Sequence, residues 1–139
     1  MPSIAVIGAS KDPYKYGNRA VRAYMAQGWT VYPVHPTEPF IEGIPAYKSI
    51  ADVPEPVDRA SLYVPAAVGI GLLEDIKTRG AKELWVNPGA GNPELLRRAE
   101  ALGLSTVEAC SIVAASESRD SCAVEDPEQE ISAETSANG

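Results

Sequence analysis

Short apolar runs alternate with helical periodicities along most of the chain. Residues 3–8 (SIAVIG) form a continuous apolar run closed by a glycine, as expected of a strand buried on both faces. Asn18 is placed to cap a helix that carries Val21, Tyr24 and Met25 on one face and stops at Gly28. Residues 30–34 (TVYPV) give the next strand. The stretch 35–56 holds Pro36, Pro39, Pro45, Pro54 and Pro56 and reads as loop, with a short strand or turn at 44–47. Residues 59–64 (RASLYV) are a strand, and Pro65 opens a helix that buries Val68, Leu72 and Ile76 and ends at Gly80. Gly69 and Gly71 inside that helix each cost about 1 kcal/mol relative to Ala, so another constraint must favour them. Residues 83–87 (ELWVN) are a further strand. Asn92-Pro93-Glu94 then supplies a cap, a proline at the first helical position and an acid against the dipole. Leu95, Ala99 and Leu102 line the inner face of that helix, Gly103 stops it, and 105–110 close as a last strand.

Strands separated by helices predict an α/β fold, a doubly wound sheet of about five parallel strands with helices on both faces. Right-handed crossovers place the loops after the strands along one carboxyl edge, where ligands of such sheets bind. The loop tips there read Gly8-Ala9-Ser10, Val34-His35-Pro36, Val64-Pro65 and Asn87-Pro88-Gly89.

Composition narrows the function. The chain has 139 residues and a net charge of −7, enough for one domain and a tail. Glu117, Asp120, Glu125, Asp126, Glu128, Glu130 and Glu134 face a single base, Arg119, so nearly all the net charge lies at 117–139. That segment is poor in branched aliphatics and predicts a disordered, solubilising tail that is dispensable for binding, behind a domain at 1–116. A near-neutral body argues against nucleic acid. No apolar run approaches the roughly 20 residues of a bilayer span, and no secretory signal opens the chain, so a cytoplasmic protein is expected. Cys110 and Cys122 show neither a disulfide framework nor metal-ligand spacing.

The first loop carries the chemistry. From Gly8 to Arg19 it reads GASKDPYKYGNR. Gly8 permits a tight turn and close backbone approach, and Ser10 offers a hydroxyl. The following helix offers free N–H groups and a positive dipole end, suited to a pyrophosphate. Lys11, Lys15 and Arg19 add cations. A valine at Gly8 is expected to abolish binding more than it harms folding. The dinucleotide fingerprint G-x-G-x-x-G is absent, because Ser10 stands at its second glycine. The second strand ends in His35 and Pro36 rather than a ribose-binding acid, with Glu38 the nearest carboxylate. NAD is therefore disfavoured.

The blocks GASKDP (8–13), Gly17, GWTVYPVHP (28–36), IEGIPAY (41–47), IADVPEPVD (50–58), GAKELWVNPG (80–89) and Cys110 follow in family order. Together they resemble the small CoA-binding-domain proteins, relatives of the nucleotide-binding part of the succinyl-CoA synthetase α subunit. LYVPA (62–66) looks like the ligase version of the third loop. The resemblance spans roughly Ile4 to Ile112 and implies a Rossmann-like fold holding coenzyme A or an acyl-CoA. It implies that Gly8, Ala9, Ser10 and Lys11 meet the pyrophosphate, with Pro13, Tyr16, Gly17, Asn18 and Arg19 completing that side. Val34, His35 and Pro36 would flank the adenosine, Val64 and Pro65 would line the wall, and Asn87 and Gly89 would approach the pantetheine. The chain departs from the family at His35, Asn87, Val64 and Ala109.

Catalytic chemistry has little support. The ligases pass phosphate through a histidine in a second domain, whereas His35 is the sole histidine here and sits in the second-strand loop. No catalytic triad and no metal cluster can be assembled. Cys110 reads either as an inert buried thiol or as one facing the CoA sulfur. Three functions follow: a CoA-binding module without chemistry of its own, a small NAD(P)-linked enzyme or redox sensor, and a subunit completing a ligase in trans. A homodimer or a ligase partner subunit is compatible with the first and third.

Overall fold

The first apolar run becomes β1 (Ser3–Ile7), buried along its whole length in this computed structural model, which describes residues 2–116. The expected acidic tail at 117–139, with Cys122, lies outside the described residues. Along the chain follow α1 (Tyr16–Ala26), β2 (Thr30–Val34), β3 (Phe40–Ile41), β4 (Ile44–Pro45), β5 (Arg59–Leu62), α2 (Ala66–Ile70) and α3 (Leu73–Arg79). Then come β6 (Glu83–Val86), α4 (Pro93–Ala101), β7 (Thr106–Glu108) and α5 (Ser111–Ser116). Five strands form one sheet in the order β2-β1-β5-β6-β7, and every pairing is parallel. The doubly wound α/β architecture is therefore present, and its winding reverses between β1 and β5.

Alternation along β1 divides the core into two layers. Ala5 and Ile7 face Ile50, Val53, Leu73, Ile76, Leu95 and Ala99 on one side. Ile4 and Val6 face Ala20, Val21, Tyr24 and Ala115 on the other. Pro33 fits inside β2 because β2 is an edge strand, where a missing donor costs no ladder bond. The Pro-rich stretch adds a hairpin, β3 paired with β4, whose turn residues Glu42 (φ 52°) and Gly43 (φ 79°) are both left-handed. Two such residues are the signature of a tight hairpin turn.

Four expectations need correction. α1 begins at Tyr16, so Asn18 lies inside it, fully buried, and is not its cap. Met25 is 39% exposed, and Ala20 joins Val21 and Tyr24 on the inner face instead. The helix after Pro65 is broken into α2 and α3 with Gly71 at the junction, which leaves Val68 half exposed. Gly69 suits the close packing of α2 on α4: a Cβ there would stand 3.0 Å from Leu95 Cδ1, which would have to give way by a few tenths of an ångström. The last strand ends at Glu108, and 111–116 turn into α5, packed against α1.

Hydrogen bonds fasten the amino edge of the sheet. The Ser3 N–H donates to Asp58 at 2.8 Å, and Lys82 Nζ lies 3.2 Å from the same carboxylate. Chiefly the Ser3 N–H, and then Lys82, hold the Asp58 carboxyl below the usual aspartate range. Its contribution to stability is complete above the unfolded value near 4 and is lost as pH falls through the lower folded value. Urea unfolding of Asp58→Asn between pH 2 and 6 is therefore expected to show a shallower acid limb than the parent. An unchanged limb would remove Asp58 from the acid response.

Candidate functional site

The winding reverses between β1 and β5, the point at whose carboxyl edge doubly wound sheets bind their ligands, and the first loop sits there. Gly8 adopts φ +93°, and a Cβ there would lie 2.7 Å from the Tyr63 carbonyl oxygen, so only glycine fits. The Gly8 and Ala9 N–H groups both donate to the Val34 carbonyl at 3.2 Å, which locks the loop onto the end of β2. Among the described residues, the next two N–H groups, of Ser10 and Lys11, meet no acceptor. Of the first loop's four expected pyrophosphate contacts, these two have backbone donors to offer.

The rest of the loop is held from inside α1. Gly17 allows the helix to touch the loop, since a Cβ on it would collide with the Gly8 carbonyl oxygen. It thereby serves the close helix–strand approach for which dinucleotide folds use their third glycine. Asn18 Nδ2 donates to the Ser10 carbonyl and to Glu42, both at 2.9 Å, while its Oδ1 accepts from Arg22 Nε at 2.7 Å. Ser10 Oγ accepts the Asp12 N–H at 3.0 Å, and Arg22 donates to the Pro13 carbonyl at 2.7 Å. Arg19 lies over the Tyr16 ring at 5.3 Å. Lys11 Nζ sits 3.3 Å from Glu38, and Lys15 is exposed.

The other loops converge on the same edge. His35 donates its N–H to the Tyr47 carbonyl at 2.8 Å. Its Nδ1 accepts the N–H groups of Thr37 at 3.1 Å and Glu38 at 3.0 Å, which places the imidazole proton on Nε2. His35 thus shapes the turn after β2, and Pro36 is exposed beside it. Val64 approaches Gly8, and the Pro65 carbonyl accepts the first N–H groups of α2.

Beyond β6 a cleft of about 390 Å³ opens between the Asn87–Pro93 loop and the end of β7. Asn87, Gly89, Asn92, Leu96, Glu108 and Ala109 line it, and Gly89 has φ +88°. Asn87 is committed inward: Nδ2 donates to Ser61 Oγ at 2.8 Å and to the Leu62 carbonyl at 2.7 Å, while Oδ1 accepts the Ser111 N–H at 2.8 Å. Cys110 follows the cleft wall, half-buried, with a free thiol, and its carbonyl opens α5. Beside it the Tyr63 hydroxyl is buried without a hydrogen bond of normal geometry, and burial holds its pKa well above the ordinary value.

The structure therefore brings the first loop against the end of β2 through Val34 and against the end of β5 through Tyr63 and Val64, with Asn18 holding it from α1. Asn87 and Gly89 stand at an adjoining cleft, with Cys110 just behind its wall. Sequence reasoning missed Glu42, Ser61 and Ser111, whose contacts join distant segments. The Glu42-Gly43 pair was the one local signal, as a hairpin turn. Among the described residues no group of three or more His, Cys, Asp or Glu is placed to hold a metal. Nor is any described helix long and apolar enough to cross a membrane.

Known proteins share this architecture. Acetate–CoA ligase [ADP-forming] I of Archaeoglobus fulgidus is 32% identical over 114 residues, covering 75% of this chain and 17% of the ligase. A conserved hypothetical protein from Pyrococcus furiosus superposes with TM-score 0.74 at 34% identity, covering 82% of this chain and 99% of that one. The apo dinucleotide-forming acetyl-coenzyme A synthetase 1 of Ca. Korarchaeum cryptofilum gives TM-score 0.68 at 34% identity, covering 76% of this chain and 25% of the synthetase. The chain spans less than one fifth of the length of the curated ligases it matches. Residues 2–116 match the family described as the CoA binding domain, and with all the described residues inside that match the chain belongs to the CoA-binding-domain family.

Proposed function

We propose that this chain binds coenzyme A or an acyl-CoA along the carboxyl edge and does not itself transform it, with residues 1–116 as the binding unit. The observation that carries the reading is the pair of free N–H groups at Ser10 and Lys11, held at the winding reversal of a CoA-binding-domain fold. Two adjacent backbone donors, with Lys11, Lys15 and Arg19 nearby, suit a pyrophosphate. The adenosine then lies toward His35 and Pro36, and the pantetheine runs past Val64 and Pro65 toward the Asn87–Gly89 cleft. Asn87 spends both amide hydrogens and one oxygen lone pair inside the protein, so its main offer to the ligand is surface.

CoA and NAD share an ADP moiety, but CoA alone of the two carries a ribose 3′-phosphate. A phosphate paired with one cation in a partly desolvated site contributes on the order of 1–3 kcal/mol, or roughly 5- to 150-fold in affinity. Calorimetry is expected to rank CoA first, dephospho-CoA second and NAD or NADP last, with the first gap narrowing at high salt. Tighter binding of NAD(H) than of CoA would overturn the reading.

A second reading follows from the relatives. The curated ones are ligases or ligase subunits far longer than this chain, so a role as the CoA-holding piece of a ligase assembled in trans is compatible with the same site. Co-purification with a nucleotide-binding ligase subunit distinguishes it from a stand-alone module.

A further inference from the structure

Lys11 in the first loop and Glu38 in the turn after β2 form an ion pair, 3.3 Å between Nζ and Oε2. The two side chains are unequal partners, 72% exposed for the lysine and 26% for the glutamate. Glu38 is also anchored through its backbone. Its own N–H and that of Thr37 converge on His35 Nδ1, so the turn after β2 is built to hold Glu38 in front of the first loop. In doubly wound folds the end of the second strand meets the ribose of the bound nucleotide. The pair therefore stands where substituents on that ribose arrive.

We propose that Glu38 is a built-in competitor for a ribose phosphate: it occupies Lys11 in the empty protein and must yield Lys11 to the phosphate when the ligand binds. A phosphate carrying nearly two charges offers Lys11 a stronger partner than one carboxylate. An unphosphorylated ribose offers none, so the ion pair stays closed against it. Glu38 sets how strongly the site distinguishes the two kinds of ligand, and it does so by acting through Lys11. The inference rests on the CoA reading above and assigns to this pair the recognition of the phosphate on the ribose.

The test is calorimetry with CoA and dephospho-CoA on the full chain, on Lys11→Met, on Glu38→Gln and on the double variant. Circular dichroism confirms that each is folded. The readout is the ratio of the two affinities. Glu38→Gln is expected to raise the ratio about 2- to 5-fold, the range of an exposed ion pair. Lys11→Met is expected to bring the ratio close to unity. In the Lys11→Met background, Glu38→Gln should then change the ratio by less than about 2-fold, because the competition has lost its object. A ratio that falls or stays put in Glu38→Gln overturns the inference, as does an equal gain in both backgrounds. If the parent binds CoA and dephospho-CoA equally, the inference fails and the CoA reading stands. If the parent binds no CoA, both fail.

Discussion

Gly8→Val is expected to destabilise the protein by roughly 2–5 kcal/mol, a large part of the 5–15 kcal/mol typical of a domain. Two costs combine. A side chain at φ +93° is forced into the left-handed region, at about 1–2 kcal/mol, and a β-branched one resists it most. The new Cβ also meets the Tyr63 carbonyl oxygen at 2.7 Å and its carbon at 2.9 Å, and overpacking of that kind costs about 1–3 kcal/mol. The obstacle is backbone, and Tyr63 is tied to β1 through its N–H on the Ile7 carbonyl at 2.8 Å, so it cannot swing aside. This relocates the effect expected from sequence, where the valine was to block the ligand more than the fold. Urea unfolding should show the loss directly, with Gly8→Ala intermediate. A valine variant within about 1 kcal/mol of the parent would mean that the loop rearranges at small cost.

The same glycine shows what can be read from sequence. A strand followed by Gly announces a turn, and the turn is there, because φ is a local property. Gly80 and Gly103 ended helices for the same reason, with φ +84° and +78°, and Asn92 caps α4 by accepting the Leu95 N–H at 2.8 Å. β1 was legible because burial on both faces selects an unbroken apolar run. What failed was decided by partners far along the chain. Asn18 has the chemistry of a cap, but its amide is claimed by Ser10 and by Glu42 on the hairpin, so the helix runs past it. Gly69 looked like a helix defect until Leu95 was placed against it. The six residues of α5 carry too short a pattern to reveal a helix, and only α1 alongside makes one of them. At the site, residue types pointed to the first loop. That Val34 takes up the Gly8 and Ala9 donors and leaves those of Ser10 and Lys11 has no trace in the local sequence.

Asn87→Ala is expected to cost about 3–5 kcal/mol, through the buried polar groups it strands and the space it empties. Asn87 is 3% exposed and joins three elements: β5 through Ser61 and Leu62, its own strand end, and α5 through the Ser111 N–H. Ser61 and Ser111 are themselves 2.7 Å apart at their hydroxyls, so the amide completes a closed network. Alanine leaves the Ser111 N–H without an acceptor in the interior, the expensive way to break a hydrogen bond. Asn87→Asp separates the parts. Its carboxyl can still accept from Ser111, but an ionised oxygen would face the Leu62 carbonyl where an N–H stood. Burial and that carbonyl both favour the protonated acid, so its folded pKa must lie above the unfolded value. The aspartate variant should therefore be nearer the parent at pH 5 and lose stability as pH rises toward 7. Alanine should show no such trend beyond that of the parent. Urea unfolding of both variants at the two pH values decides the matter. Equal loss for aspartate at pH 5 and pH 7 would show that neither burial nor the Leu62 carbonyl raises the acid's pKa there. Where the variants remain folded, CoA affinity should change little, because the hydrogen bonds the Asn87 amide makes go to Ser61, Leu62 and Ser111 inside the protein.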